Sequence, residues 1–122
     1  MKLLPKLEMN NGLATLYVDG KPFFALGGEL HNSSASSTAY MREVVWPGLR
    51  QIDGLNSVIA TVSWQQIEPG RGRFDFTVLD DLIADARQEG IRLVLIWFGL
   101  WKNGASSYVP SWVKRDPVTY FP

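Results

Sequence analysis

Three apolar runs set the frame of this chain: Phe23 to Leu26, Ser57 to Val62 and Ile91 to Phe98. Their centres, near Ala25, Ile59 and Leu93, lie 34 residues apart each time. The second run, Ser57-Val58-Ile59-Ala60-Thr61-Val62, is rich in β-branched residues and lacks polar alternation, the pattern of a strand buried on both faces. A helical pattern follows it, with Leu79, Leu82, Ile83 and Ala86 at i, i+3, i+4 and i+7 forming one apolar stripe that Gly90 stops. Thr77 with Asp80 reads as a shortened capping box for this helix. Between the first two runs a helical region is expected from about Ala39 to Asp53. Pro47 would open its second segment, where a missing N–H costs nothing, and Gly54 would end it. Strand, loop, helix, glycine, strand at this period is the βα rhythm of a parallel sheet.

The connections are unequal. Loops after the strands are long and rich in Trp, Asn, Ser and Pro, whereas the turns after the helices are short. A (β/α)8 TIM barrel has this asymmetry because its chemistry sits on loops at the carboxyl ends of the strands. A doubly wound open sheet could exist with three or four strands, but it would carry a glycine-rich phosphate loop or an acidic cluster after the first, and neither is present. Gly27-Gly28-Glu29 has neither the GxGxxG nor the GxxxxGK spacing. Three βα units cannot close a barrel, which typically needs ~250 residues. The 122 residues are therefore expected to be the front part of a larger domain. Residues 1–22 read as an amino-terminal extension, with Leu13 to Val18 a short lid strand turning at Asp19-Gly20. Residues 23–122 read as the truncated first part of the barrel.

Composition narrows the function. Twelve basic and twelve acidic side chains cancel, so the excess of Lys and Arg that nucleic acid or an anionic membrane surface would require is absent. The longest apolar runs, such as Leu93 to Leu100, are far shorter than the ~20 residues that span a bilayer. One histidine and no cysteine exclude zinc ribbons, disulfide scaffolds and thiol catalysis. Met1-Lys2-Leu3-Leu4 starts like a secretion signal, but Pro5, Lys6 and Glu8 interrupt it. A cytoplasmic location is the expectation, unless an export segment was removed before Met1. Five tryptophans exceed what a minimal core needs.

In a barrel the loop Gly27-Gly28-Glu29-Leu30-His31-Asn32-Ser33-Ser34 would bring Glu29, His31 and Asn32 to the mouth, with two glycines letting a substrate approach the backbone. Alternatively Asn32 and the serines cap a helix, and His31 is a satisfied polar residue. In the second loop, Trp64 to Phe76, Glu68 is read as a structural carboxylate fixing the loop against Arg71 or Arg73, and Phe74 and Phe76 as packing residues. The third strand ends Trp97-Phe98-Gly99-Leu100-Trp101-Lys102-Asn103-Gly104. Indole, ammonium and amide side by side suit a sugar, whose apolar face stacks on a ring while its hydroxyls accept hydrogen bonds. One of Trp97 and Trp101 is expected in the core and the other in the cavity. Tyr108 to Val113, with Pro110 and two aromatics, reads as an ordered loop.

Taken together, Gly27 to Ser34, Trp64-x-x-x-Glu68-Pro69, Gly72-x-Phe74-Asp75-Phe76, Trp97-Phe98-Gly99-x-Trp101-Lys102-Asn103-Gly104 and Val109-Pro110-x-Trp112-Val113 resemble the amino-terminal part of bacterial β-galactosidases. The match is to glycoside hydrolase family 35, and the Trp-x-x-x-Glu-Pro motif with its continuation is shared with family 42. The resemblance runs from about Leu13 to Trp112. It implies a retaining mechanism in which one glutamic acid, after strand four, protonates the leaving oxygen. A second glutamate, ending strand seven, attacks the anomeric carbon ~5–5.5 Å away. Neither strand lies within these residues, so no catalytic residue is assigned here.

The chain would contribute part of the galactose subsite. The resemblance puts Asn103, preceded by Lys102, where relatives present backbone groups and a carboxylate to the sugar. Thr61 stands where some relatives offer a tyrosine. Glu29, Asn32, Trp101, Lys102 and Asn103 are the substrate-binding candidates, for a carbohydrate containing β-galactoside. No metal or organic cofactor is implied, because acid/base and covalent carboxylate catalysis need neither. In isolation the chain is expected to be inactive and to aggregate through the face of strand three meant for strand four. Two rival readings are a non-catalytic sugar-binding stub and a barrel hydrolase of the same superfamily acting on β-mannosides or β-glucosides.

Overall fold

A computed structural model describes residues 3–102 and 106–120, without the side chains of residues 101, 102 and 106. Its centre is β5 (Ser57–Ser63), which pairs in parallel with β4 (Gly27–Glu29) on one side and β6 (Arg92–Phe98) on the other. The register with β6 is unbroken from Ser57 opposite Arg92 to Ser63 opposite Phe98. The expected parallel βα arrangement is therefore present. Val58 and Ala60 are fully buried, and the polar residues Ser57, Thr61 and Ser63 are buried with them. Helix α4 (Thr77–Gln88) returns the chain from β5 to β6 and lays Leu82 and Ala86 on Ala60, as its apolar stripe requires. Gly90 ends it at a φ of 69°. The cap differs from the expected box: Phe76 is the N-cap, and the Asp75 carboxylate accepts the Thr77 N–H at 3.0 Å. Asp75 already sits where that orphan donor points, so Thr77 enters the helix instead of capping it.

The first parallel strand lies later than the apolar run suggested. Phe23 to Leu26 is not a strand, and Phe24 is 83% exposed. Two side-chain bonds from Asn56 account for this. Its Oδ1 accepts the Leu26 N–H at 2.9 Å, and its Nδ2 donates to the Phe24 carbonyl at 2.8 Å. One amide thus does the work of a strand neighbour, and the ladder begins only at Gly27. A Cβ on Gly27 would come within 3.0 Å of the Ser57 carbonyl oxygen, so glycine lets the two backbones meet. A Cβ on Gly28 would meet open space.

The helical stretch between β4 and β5 runs through α1 (Thr38–Tyr40), a π-helical segment (Met41–Val45) and α2 (Trp46–Leu49). Pro47 sits in the first turn of α2, as expected. Its ring crowds the carbonyl four residues back, and a widened preceding turn relieves that clash. The Trp46 N–H then bonds the Met41 carbonyl, five residues back. Met41 and Trp46 consequently both enter the core, with Ala35, Ala60, Leu82 and Ala86. Regular helix ends at Leu49, not at Asp53. Tighter turns follow, with Gln51 bonded to Gly48 and Ile52 to Leu49, before Gly54 adopts a φ of 77°.

Ion pairs tie this rod to α4. The Arg42 guanidinium grips the buried Asp85 carboxylate through two bonds of 2.8 and 2.9 Å, and Asp81 takes bonds from Arg42 and Thr38. Arg50 pairs with Glu89. Strands β1 (Lys6–Asn10), β2 (Leu13–Val18) and β3 (Lys21–Pro22) form a separate antiparallel sheet. Asp19, in its second turn, pairs with Arg92 at the start of β6, and Leu16, Val18 and Phe23 face Ile91 and Leu93 across a cavity. This sheet lies at the amino-terminal ends of the parallel strands. Leu13 to Val18 is therefore a floor element and does not cover the loops at the other end. Among the described residues no helix is long and apolar enough to cross a membrane.

Replacing Asn56 by Ala is expected to destabilise the fold by about 1–3 kcal/mol, since it orphans the Leu26 N–H and the Phe24 carbonyl. Urea unfolding of the full-length protein measures the loss, and faster hydrogen exchange at Leu26 should accompany it.

Candidate functional site

The carboxyl ends of β4, β5 and β6 share one rim, and three loops meet there. After β4 the chain makes a 3-10 turn (Ser34–Ser36) that buries Ser34 and Ala35. This leaves Glu29, His31, Asn32 and Ser33 lining, with Tyr40, an open cleft of about 890 Å³. Glu29 and Asn32, both singled out from the sequence, therefore share one concavity. Thr61 fixes this loop from beneath. Its buried hydroxyl donates to the Asn32 carbonyl, so Thr61 holds the cleft's floor and does not enter it. Gln66 adds a second tie by donating to the Ser36 carbonyl at 3.1 Å.

The second loop is held by Glu68. Helix α3 (Trp64–Ile67) brings Trp64 one turn before it, and the indole Nε1 donates to Glu68 Oε2 at 2.7 Å. The Gly72 N–H donates to Oε1 at 2.8 Å. These two donors, the indole first, hold the carboxyl below its ordinary range, with a smaller contribution from the Arg71 charge. The structural role expected of Glu68 is observed, but an indole and a backbone amide hold it where an arginine was anticipated. Phe74 and Phe76 stack on each other at 6.3 Å and are both exposed, so they do not pack into a core.

The third loop is anchored on the second. Tyr108 is buried against Phe98 at 4.7 Å; its N–H bonds the Leu100 carbonyl, and its own carbonyl accepts the Gln65 N–H at 2.9 Å. Helix α5 (Ser111–Lys114) then places Trp112 edge-on to Trp64 at 5.8 Å, and the Trp112 indole donates to the Glu68 carbonyl at 3.0 Å. The ordered loop read from Pro110 and its aromatics is therefore present. Trp97 is 56% exposed, the buried ring at this strand end is Phe98, and the Trp101 side chain lies outside the described residues. Trp101 and Lys102 form β7 (Trp101–Lys102), paired with β8 (Ser106–Ser107), while Asn103 lies outside the described residues. The structure thus brings together Glu29 and Asn32 and adds Tyr40 to them. Sequence reasoning passed over Tyr40 because it sits on a helix. The available signal was an aromatic a few residues beyond a polar strand-end loop.

The family model for β-galactosidases of glycoside hydrolase family 42 matches residues 49–116, over half of the chain. The chain belongs to this β-galactosidase family. Beta-galactosidase 14 of Arabidopsis thaliana is 27% identical over 117 residues, covering 88% of this chain and 12% of that protein. A β-galactosidase of Xanthomonas manihotis is 32% identical over 80 residues, 63% of this chain and 13% of the relative. Beta-galactosidase-1-like protein 3 of Mus musculus is 28% identical over 118 residues, with 88% and 17% covered. The chain thus spans 12–17% of the length of these relatives. Among solved structures, the exo-β-1,4-mannosidase Op5Man5 from Opitutaceae bacterium strain TAV5 superposes with a TM-score of 0.59 at 23% identity. It covers 76% of this chain and 18% of that one, a likeness of fold. The fold is that of part of a glycoside hydrolase.

Because the folded state lowers the Glu68 pKa, its carboxylate contributes stability in full above the ordinary glutamate value of about 4.3, and that contribution is lost as pH falls through the lowered folded value. The near-ultraviolet circular dichroism of the Trp64–Trp112 pair should stay constant on acidification to about pH 4.3 and change only below it. In Glu68→Gln the Gly72 N–H loses its charged acceptor, and the pair's signal should already be altered at neutral pH.

Proposed function

We propose that these residues form the first three βα units of a (β/α)8 glycoside hydrolase, preceded by an extension over residues 1–22. In its full form the enzyme removes terminal β-galactose from oligo- or polysaccharides by a retaining route. Its acid/base and nucleophile glutamates lie on strands beyond this chain, which supplies one side of the sugar subsite. The observation that carries the reading is the cleft at the carboxyl end of β4, where Glu29 and Asn32 stand beside one another on the rim that serves chemistry in barrels. Glu29, Asn32, Trp101, Lys102 and Asn103 are the groups proposed to meet the sugar. A carboxylate and an amide accept from and donate to hydroxyls, and the indole covers an apolar ring face. The family-35 character rests on the whole set of motifs from Gly27 to Val113, of which Trp64-x-x-x-Glu68-Pro69 with Gly72-x-Phe74-Asp75-Phe76 is shared with family 42.

A second reading is supported by the fold neighbour that acts on β-1,4-mannosides. The two differ in the configuration of single hydroxyls. The full-length protein should hydrolyse nitrophenyl β-galactoside with a kcat/KM well above that for the gluco and manno analogues. Preference for the manno analogue would transfer the assignment to β-mannosides, and hydrolysis of none would leave a binding role. Asn103→Ala should raise the barrier for the preferred glycoside by about 1–3 kcal/mol, the size of a lost sugar hydrogen bond. An unchanged kcat/KM removes Asn103 from the site.

A further inference from the structure

The amino-terminal sheet has two unlike faces. Residues opposite one another in an antiparallel pair share a side, so Leu7 with Leu16 and Met9 with Ala14 lie on one face, and alternation adds Val18 to it. Lys6, Glu8, Asn10, Leu13, Thr15 and Tyr17 lie on the other. The polar groups of this second face satisfy one another. Asn10 Nδ2 donates to the Tyr17 hydroxyl at 2.8 Å, Lys6 pairs with Glu8, and the Lys6 ammonium lies 6.0 Å from the Tyr17 ring centre. A polar face of this kind suits water, whereas a wholly apolar one marks the side that an antiparallel sheet lays on a core.

The apolar face is only half covered. Leu16 and Val18 are partly buried and look onto Ile91, Arg92 and Leu93, where β6 begins, and the Asp19–Arg92 ion pair clamps the hairpin at that point. Leu7 and Met9, on the same face, stand 72% and 69% exposed. The apolar surface therefore runs without a break from the contact with β6 out into solvent. A three-stranded sheet draws its stability from burying such a face, and here half of that burial is not made within the described residues.

We infer that Leu7 and Met9 form the other half of a floor contact, whose partner is the amino-terminal ends of the strands that follow β6 in the full-length chain. This rests on the barrel reading above and extends it: residues 1–22 close the end of the barrel opposite the chemistry. Continuity decides for these strands over a second copy of the chain. The face already lies on the start of β6, and in a closed barrel the strand starts form one ring. The extension thus belongs to the core of the domain and shields the barrel interior from water on its far side.

Leu13 supplies the control, being 72% exposed like Leu7 but on the polar face. In the full-length protein Leu7→Ser should lower the Tm by about 2–4 °C, while Leu13→Ser leaves it unchanged; equal effects of the two overturn the inference. The wild-type protein gives a second readout that needs no variant. Hydrogen peroxide converts accessible methionine to the sulfoxide, and mass spectrometry should find Met9 oxidised as slowly as Met41, which is buried in the core. Oxidation of Met9 at the rate seen in urea-unfolded protein overturns the inference. Protection that disappears on dilution to a monomer assigns the face to a second copy and overturns it too. Nitrophenyl glycosides test the hydrolase reading separately: a protein that hydrolyses none of them yet shields Met9 refutes that reading and sustains this one.

Discussion

Everything in this chain is fastened to β5. One of its edges is paired with β6 along the whole strand, the other with β4 over Ser57 to Ile59, and six of its seven residues are buried. A strand so enclosed must be apolar wherever a side chain meets the core, and Val58, Ala60 and Val62 meet that demand. Its buried hydroxyls are used where the strand ends. Thr61 donates to the Asn32 carbonyl of the loop after β4, and Ser63 donates to Gln66 in its own loop. The strand thus organises the rim as well as the core, and the cleft inherits its rigidity from a sheet residue.

The loops are then knitted to one another through β5's loop. Gln66 reaches back to the first loop, while Gln65 and Glu68 hold the third. The Trp112 indole bond is part-buried, where leaving the N–H without a partner would be costly enough to favour one conformation. Aromatic edges fill the remaining space: Trp64 against Trp112, and Trp112 in turn against Tyr120 at 5.7 Å. The five tryptophans, excessive for a minimal core, are explained in part by this use outside it. Trp46 is the one buried tryptophan among the described residues, and Trp64 and Trp112 serve as hydrogen-bond donors at the rim.

Where the sequence was legible, one physical signal dominated. β5 and β6 are continuous apolar runs and α4 is a helical apolar stripe, each with a glycine or turn boundary, and local and tertiary preferences agree. β4 was misplaced because Phe23 to Leu26 has the better strand composition while Gly27-Gly28 has a poor one. The deciding residue, Asn56, lies 30 positions away from Leu26 and acts through its side chain. The π-helical turn was hidden for a related reason: a proline signals a discontinuity, but whether the chain breaks or widens depends on what Met41 and Trp46 find to pack against. Glu29 and Asn32 could be named because strand-end loops carry function in parallel α/β folds. Tyr40 reaches the same cleft from the next helix, and no spacing rule links the two.

The carboxylates show why geometry must be consulted before chemistry is assigned. A glycosidase's proton donor has to be protonated at working pH, which requires an environment that raises its pKa. Glu68 has the opposite environment. An indole N–H and a backbone N–H stabilise the charged form, and both oxygens are occupied as acceptors. An oxygen so engaged is also a poor nucleophile, since attack on an anomeric carbon would first have to break a charge-assisted bond of 2.7 or 2.8 Å. The same features suit a positioning role, because a lowered pKa keeps the carboxylate ionised, and its two donors held, further into the acid range than for an ordinary glutamate. The most conspicuous acid of the second loop is thus built to hold the rim together.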